Sequence, residues 1–164
     1  MLKTFLIVAG VSLAVWAVTM ICFSVLAKKP DTLGVKDGRL APCPSYPNCV
    51  GSAEEDATHA IEPLTFTDGP DEAWRRLEAC LVKHPRTHII TNANGYLHAE
   101  CASFLFRFVD DLEFLLDREG KKIDVRSASR AGRGDLGVNR ARVEAIRAAF
   151  GDKGTRGQGD KGTR

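Results

Sequence analysis

The sequence feature that most constrains the fold is residues 112–127, "LEFLLDREGKKIDVRS", in which apolar and charged residues alternate on both sides of a Glu-Gly pair. A β-hairpin that turns at residues 119–120 aligns these residues by character. One face then pairs apolar residues: Phe114 with Val125 and Leu116 with Ile123. The other face pairs opposite charges: Glu113 with Arg126 and Asp117 with Lys122. This pattern predicts an antiparallel sheet with only one face on the core.

Residues 87–108, "THIITNANGYLHAECASFLFRF", predict a second hairpin. Its turn is Asn94-Gly95, a strong signal for a two-residue type I′ turn. Counted from that turn without interruption, His88 and His98 point to opposite faces of the hairpin. Neither histidine belongs to a catalytic or metal-binding motif, so a structural or exposed role is the simpler expectation.

Helix signals flank the hairpins and complete the predicted fold. Gly69 and Pro70 predict the start of one helix, after a first strand in "AIEPLTF", residues 60–66. A second helix is predicted between Asn139 as N-cap and Gly151 as its end. The order β-α-β-β-β-β-α predicts the α+β class: an antiparallel β-sheet with two helices packed on one face, preceded by one N-terminal transmembrane helix.

Residues 5–27, "FLIVAGVSLAVWAVTMICFSVLA", contain no charged residue and are long enough to cross a bilayer as a helix. A retained membrane anchor is the first interpretation. A cleaved signal peptide ending at residues 25–27 is the second, although the apolar run is long for one. A lipoprotein signal fits poorly because Ile21 before Cys22 is large, and a buried core helix is disfavoured by the uncharged terminal position.

We therefore divide the chain into four parts: an anchor or signal segment over 1–27, a linker over 28–42, an α+β domain over 43–150, and a tail over 151–164. The linker lacks apolar periodicity. The tail contains GDKGTR twice and has the low-complexity composition of a disordered segment.

Two signals disagree about which side of the membrane the domain occupies. Four cations (Lys28, Lys29, Lys36 and Arg39) follow the apolar run, and the positive-inside rule alone would place the domain in the cytoplasm. The segment "CPSYPNC" instead places Cys43 and Cys49 around two prolines, which suits a disulfide outside the cytosol. Two unrelated free thiols are the alternative, and Cys80 and Cys101 lie at apolar core positions.

The segment "VRSASRAGRGDLGVNRARVEAIR", residues 125–147, holds six arginines and no lysine. A glycine-rich loop that leads into a helix N-terminus suits an anion, and arginine adds bidentate donors. The candidate ligand-binding residues are Arg126, Ser127, Ser129, Arg130, Asp135, Asn139, Arg140 and Arg142. Internal pairing with the acids of residues 110–119 is the alternative, and both arrangements can coexist.

The other function classes have weaker signals. A hydrolase would use Ser127 or Ser129 as nucleophile, or a metal held by Asp110, Asp111 and Glu113, but salt bridging is the simpler role for these acids. A structural assembly module is a third possibility. We predict no cofactor and no metal site, and neither the net charge of +2 nor the aromatic content of 7% favours nucleic-acid binding.

Three runs in order, "CPSYPNCVGS", "FRFVDDLEF" and the arginine-rich segment above, resemble a family of bacterial and plastid proteins, domain of unknown function 1499 (DUF1499). The resemblance covers roughly residues 40–150, and Gly51 stands where the family usually has serine. It implies a small domain behind an export signal or membrane anchor, with no established activity. We therefore expect a single-pass inner-membrane protein whose periplasmic domain binds an anionic small molecule, lipid headgroup or protein partner through its arginine-rich loop and helix N-terminus, rather than catalysing a reaction.

Overall fold

The computed structural model describes residues 1–156, which form three helices and eight strands. The helices are α1 (Leu2–Leu26), α2 (Pro70–Lys83) and α3 (Val138–Arg156). The strands are β1 (Val35–Lys36), β2 (Arg39–Leu40), β3 (Cys49–Gly51), β4 (Leu64–Thr65), β5 (Thr87–Ala93), β6 (Tyr96–Ala102), β7 (Val109–Asp117) and β8 (Lys122–Ser129).

The main sheet has the strand order β3-β8-β7-β6-β5, and β4 also pairs with β8. Every pairing of these named strands is antiparallel. Both short strands align along one edge of β8, with Leu64 opposite Ile123 near its start and Cys49 opposite Ala128 near its end. The predicted α+β class with a mostly antiparallel sheet is confirmed.

The β7–β8 hairpin has the predicted register. Phe114 pairs with Val125 and Leu116 with Ile123, while Glu113 pairs with Arg126 and Asp117 with Lys122. Phe114, Ile123 and Val125 are buried in the hydrophobic core. The charged residues therefore lie on the opposite face of the sheet, which we call the outer face.

The β5–β6 hairpin turns at Asn94 and Gly95 as predicted, with φ angles of 55° and 76°. An irregularity between Ile89 and Thr91 shifts the register by one residue, so His88 pairs with Glu100. Because side chains alternate along a strand, His88 shares the outer face with His98. The prediction that the two histidines point to opposite faces is therefore wrong.

Helices α2 and α3 cover the inner face of the sheet. Pro70 is the first residue of α2, as its sequence predicts, and Leu77 and Leu81 are fully buried. From α3, Val143, Ile146 and Phe150 enter the same core. Packing of these apolar stripes against the inner face supplies most of the burial that stabilises the domain.

The ends of α3 differ from the prediction. The helix begins at Val138, so Asn139 lies within its first turn and is not the N-cap. It continues past Gly151 to Arg156. Of the predicted disordered tail over 151–164, the first six residues therefore extend the helix, and residues 157–164 lie outside the described part of the chain.

The segment predicted as a linker over 28–42 contains the small β1–β2 ribbon, in which Val35 pairs with Leu40. The backbone amide of Gly34 donates a hydrogen bond of 2.8 Å to Glu113 Oε1 on the outer face. This segment therefore covers part of the outer face.

Helix α1 is a 25-residue apolar helix whose best 18-residue window has a mean hydropathy of 2.4 and contains no buried residue. By length and composition it fits a membrane span or a signal sequence. Its aromatic residues contact the β6–β7 loop, residues 103–108: Trp16 packs edge-on against Phe106 and Phe23 against Phe108. The helix is therefore adjacent to one end of the sheet.

Candidate functional site

The arginine-rich segment of residues 125–147 is divided by the sheet into two clusters. Because successive side chains of a strand point to opposite faces, Arg126 and Arg130 lie on the outer face, whereas Ser127 and Ser129 face α3. The predicted site residues therefore do not surround one cavity.

The outer-face cluster centres on Asp111, which is 1% exposed. Arg130 donates two hydrogen bonds to its carboxylate, from Nε to Oδ2 at 2.8 Å and from Nη2 to Oδ1 at 2.6 Å, and also pairs with Glu100. His98 Nε2 lies 2.8 Å from Asp111 Oδ1. Burial alone would raise the pKa of Asp111, but the hydrogen bonds from Arg130 and His98 lower it below its ordinary value.

Glu113 is the second buried acid of the outer face and is fully enclosed. Its Oε2 accepts a hydrogen bond of 2.9 Å from Arg126, and its Oε1 accepts one of 2.8 Å from the hydroxyl of Tyr96. The amide of Gly34 also donates to Oε1. Burial and the neighbouring Glu113 raise the pKa of Tyr96, so its hydroxyl remains a donor.

The inner-face cluster centres on Asn139, whose side chain joins α3 to the sheet. Its Nδ2 donates hydrogen bonds of 3.0 Å to the carbonyl of Asn48 and to Ser129 Oγ. Its Oδ1 accepts a hydrogen bond of 2.6 Å from Ser127 Oγ. Asn48 was missed by sequence reasoning, although it stands in the Pro-Asn-Cys run that carries the family resemblance.

Arg142 extends this inner-face cluster to the start of β7. Its Nη1 donates to Asn139 Oδ1 at 2.7 Å and to Ser127 Oγ at 3.2 Å, and its Nη2 pairs with Asp110 Oδ2 at 2.5 Å. The side chains of Arg142 and Asp110 are 9% and 10% exposed. The guanidinium of Arg142 is therefore hydrogen-bonded to partners inside the domain.

The start of α3 is already occupied by an acid of its own loop. Asp135 accepts hydrogen bonds from the amide of Asn139 at 2.8 Å and from that of Gly137 at 2.9 Å. Arg140 points away from the helix end and donates to the carbonyls of Ala60 at 2.7 Å and Thr58 at 3.0 Å. The amides and the arginine predicted to hold an anion thus have protein partners.

Arg107 and Arg133 lie in loops and, unlike the arginines of the two clusters, have exposed side chains. Arg133, in the loop between β8 and α3, is exposed and lies over the ring of Tyr46, 5.0 Å from its centroid. Arg107, in the β6–β7 loop, is also exposed. Neither forms an ion pair with any described residue.

A family model, described as a protein of unknown function (DUF1499), matches residues 39–150, which is more than half of the chain. The chain belongs to the DUF1499 family. No curated protein and no solved structure matches it.

The motif residues of this DUF1499 domain mostly bind one another. Arg126 and Arg130 neutralise buried acids on the outer face, and Ser127, Ser129 and Asn139 form the inner-face cluster. The geometry therefore gives these residues a part in holding β7, β8 and α3 together.

The catalytic alternatives do not assemble in this DUF1499 domain. Asp110 points toward α3, whereas Asp111 and Glu113 lie on the outer face, so the three acids do not converge on one metal position. The hydroxyls of Ser127 and Ser129 are hydrogen-bonded to Asn139, and among the described residues neither hydroxyl is hydrogen-bonded to a histidine that could act as a base.

One cluster with metal-ligand chemistry was not predicted from the sequence. The ligand atoms of His98, Glu100 and Asp111 lie within 4.8 Å of one another. Arg130 donates to both carboxylates, which places a fixed positive charge where a cation would bind. The arrangement therefore favours a salt-bridge network over a metal site.

Cys43 and Cys49 form a disulfide with their Cα atoms 5.6 Å apart. It ties the loop before β3 to the first residue of that strand. The bond is the pairing that the Cys-Pro run indicates, and it suits an oxidising compartment.

Proposed function

We propose that this DUF1499 protein is a non-catalytic domain anchored by α1 in the inner membrane, facing the periplasm, and that it binds the anionic headgroups of that membrane through exposed arginines of its arginine-rich loop and of the neighbouring β6–β7 loop. The anchor rests on the length and apolar composition of α1. The compartment rests on the disulfide, against which stand the cations that follow α1.

The observation that carries the proposal is the position of the unpaired cations. The loops that contain Arg107 and Arg133 are neighbours, because the amide of Arg130 donates to the carbonyl of Val109. We call this end of the sheet, formed by residues 103–108 and 130–137, the basal end. Helix α1 contacts it through Phe106 and Phe108, and exposed Lys28 and Lys29 follow directly after α1.

The chemistry of these cations suits phosphate. A guanidinium can donate two hydrogen bonds to one phosphate, and a cation near an anionic membrane surface contributes on the order of 1 kcal/mol. The interior arginines, by contrast, keep their acids and carbonyls as partners. The ligand would therefore meet the exposed side of the loop, beside Arg133, and leave the inner-face cluster intact.

The test is thermal unfolding of the full chain in neutral detergent micelles, titrated with phosphatidylglycerol or with phosphatidylcholine. A ligand that binds only the folded state raises the melting temperature. We expect phosphatidylglycerol to raise it more than phosphatidylcholine, and the combined Arg107→Gln and Arg133→Gln variant to abolish the difference.

Arg118→Gln is the matched control, because Arg118 is 59% exposed and lies in the β7–β8 turn, at the opposite end of the sheet. This variant should keep the preference for phosphatidylglycerol. Equal effects of the two lipids on the unsubstituted chain, or equal losses in the two variants, would contradict headgroup binding at the basal end.

A further inference from the structure

The β6–β7 loop, "SFLFRF" at residues 103–108, is the most apolar loop of the domain, and two of its four large apolar side chains are exposed. Phe104 is 80% exposed and Leu105 is 69% exposed. The neighbouring loop adds Leu136, which is fully exposed, and Val138 is half-exposed at the start of α3. A cluster of exposed large apolar side chains at one end of a domain marks an interaction surface.

We infer that the β6–β7 loop is a second membrane-inserting element, which enters the same leaflet as α1 and fixes the basal end of the domain against the bilayer. The inference rests on the proposed membrane anchor, and it does not depend on binding of anionic headgroups.

Contact with α1 identifies the bilayer as the partner of this loop. The rings of Trp16 and Phe106 lie 5.2 Å apart at 90°, and those of Phe23 and Phe108 lie 6.5 Å apart at 73°. Phe106 also packs against Phe108 within the loop. The exposed loop tip and helix α1 thus form one continuous apolar surface.

The depth of this contact agrees with insertion near the interface. A hydrocarbon core of about 30 Å accommodates about 20 helical residues, so a span that starts between Leu2 and Phe5 ends between Ile21 and Ser24. Trp16 then lies roughly 8–12 Å inside the boundary, close to the depth of about 5–10 Å reached by interfacial apolar helices. Ser24, only 7% exposed, is already covered by the protein.

The polar groups of the loop are compatible with insertion into the membrane interface, because they are hydrogen-bonded or long enough to reach the headgroups. The loop neck is closed by two hydrogen bonds, from the amide of Ser103 to the carbonyl of Phe108 at 2.8 Å and from the amide of Phe108 to Ser103 Oγ at 2.9 Å. Arg107 is exposed, and its long side chain can extend from an apolar position to the phosphates. Arg86 stacks over Phe104, 5.8 Å from its centroid, and supplies a second cation at this level.

The experiment places a tryptophan at the loop tip of the full-length protein in neutral phosphatidylcholine vesicles. The chain has two tryptophans, so the background is Trp16→Phe, which retains an aromatic ring opposite Phe106, together with Trp74→Phe. Leu105→Trp is introduced into this background, and its fluorescence is quenched with phosphatidylcholine brominated at shallow chain positions.

The matched control is Glu119→Trp in the same background, because Glu119 is exposed in the turn at the far end of β7. We expect the Leu105→Trp variant to be quenched at least about twofold more strongly than the control, since an inserted apolar side chain lies below the headgroups. Phe104→Trp, at the other exposed tip position, should behave in the same way. Neither substitution removes a buried side chain.

Quenching of both loop variants no stronger than that of the control would overturn the inference. A blue-shifted emission that depends on protein concentration, without quenching by brominated lipid, would also overturn it by showing that a second copy of the chain covers the loop. Since the vesicles are neutral, strong quenching combined with no preference for phosphatidylglycerol would refute headgroup binding and leave loop insertion standing.

Discussion

The guanidinium of Arg130 and the carboxylate of Asp111 form a bidentate pair on the outer face, with N–O distances of 2.8 Å and 2.6 Å. Their side chains are 8% and 1% exposed. Removal of one member of such a pair leaves the other charge buried without compensation. Arg130 therefore has a structural role inside the domain, whereas we propose that Arg133 of the same segment binds a ligand outside it.

Arg130→Ala should lower the free energy of unfolding by about 3–5 kcal/mol, because Asp111 would remain buried and charged. Arg133→Ala, from the same loop but exposed, should change it by less than about 0.5 kcal/mol. Chemical denaturation of the full chain in neutral detergent measures both values. Equal effects of the two substitutions would show that the buried pair does not stabilise the fold.

The same pair makes the stability of the domain sensitive to acid. The folded-state pKa of Asp111 lies below its unfolded value of about 3.9. Its contribution is therefore fully present above that unfolded value and is lost as the pH falls through the folded-state pKa. Asp111→Asn should reduce the loss of unfolding free energy between about pH 6 and pH 3, as measured by urea denaturation at each pH.

Glu119→Gln is the control for this acid dependence, because Glu119 is exposed and forms no ion pair with the described residues. This variant should keep the slope of the unsubstituted protein. If Asp111→Asn also keeps that slope, the acid dependence must come from other carboxylates.

Asn139 offers a third prediction, because its side chain connects α3 with β8 and with the segment before β3. Asn139→Ala should lower the free energy of unfolding by about 3 kcal/mol, since several buried polar groups lose a partner. Asn92→Ala, at an exposed site with two side-chain hydrogen bonds, should cost far less. Thermal unfolding of both variants provides the comparison, and similar losses would contradict the bridging role.

Local pattern was sufficient for the parts of the fold that follow from alternation. The register of β7 and β8 follows from the fact that Phe114 and Val125 are apolar at matching positions, while Glu113 and Arg126 are opposite in charge. Asn94-Gly95 specified its turn because both residues tolerate positive φ. These features depend on neighbours that are close in sequence.

The remaining features depend on distant partners. A bulge beside Ile89 brings His88 to the outer face. No turn residue at this position indicates the bulge in the sequence. Asn139 has the residue type of an N-cap, but hydrogen bonds to Asn48 and Ser129 hold its side chain between the helix and the sheet. Asp135 instead accepts the hydrogen bond from the backbone amide of Asn139 at the start of the helix. The candidate arginines were identified as a group, whereas their division between two faces follows from the sheet register.

The last prediction concerns the compartment and uses the disulfide. In a Cys22→Ala background, a membrane-impermeant maleimide applied to intact cells should label Cys43 and Cys49 only after reduction, because the two are bonded in a periplasmic domain. Cys101 should not react while the protein is folded, since it is buried and burial raises the pKa of its thiol.

The variant with both Cys43→Ser and Cys49→Ser should show no such labelling, and the loss of the cross-link should lower the free energy of unfolding by about 2 kcal/mol. Free thiols that react only after lysis, without reduction, would place the domain in the cytoplasm and agree with the cations that follow α1.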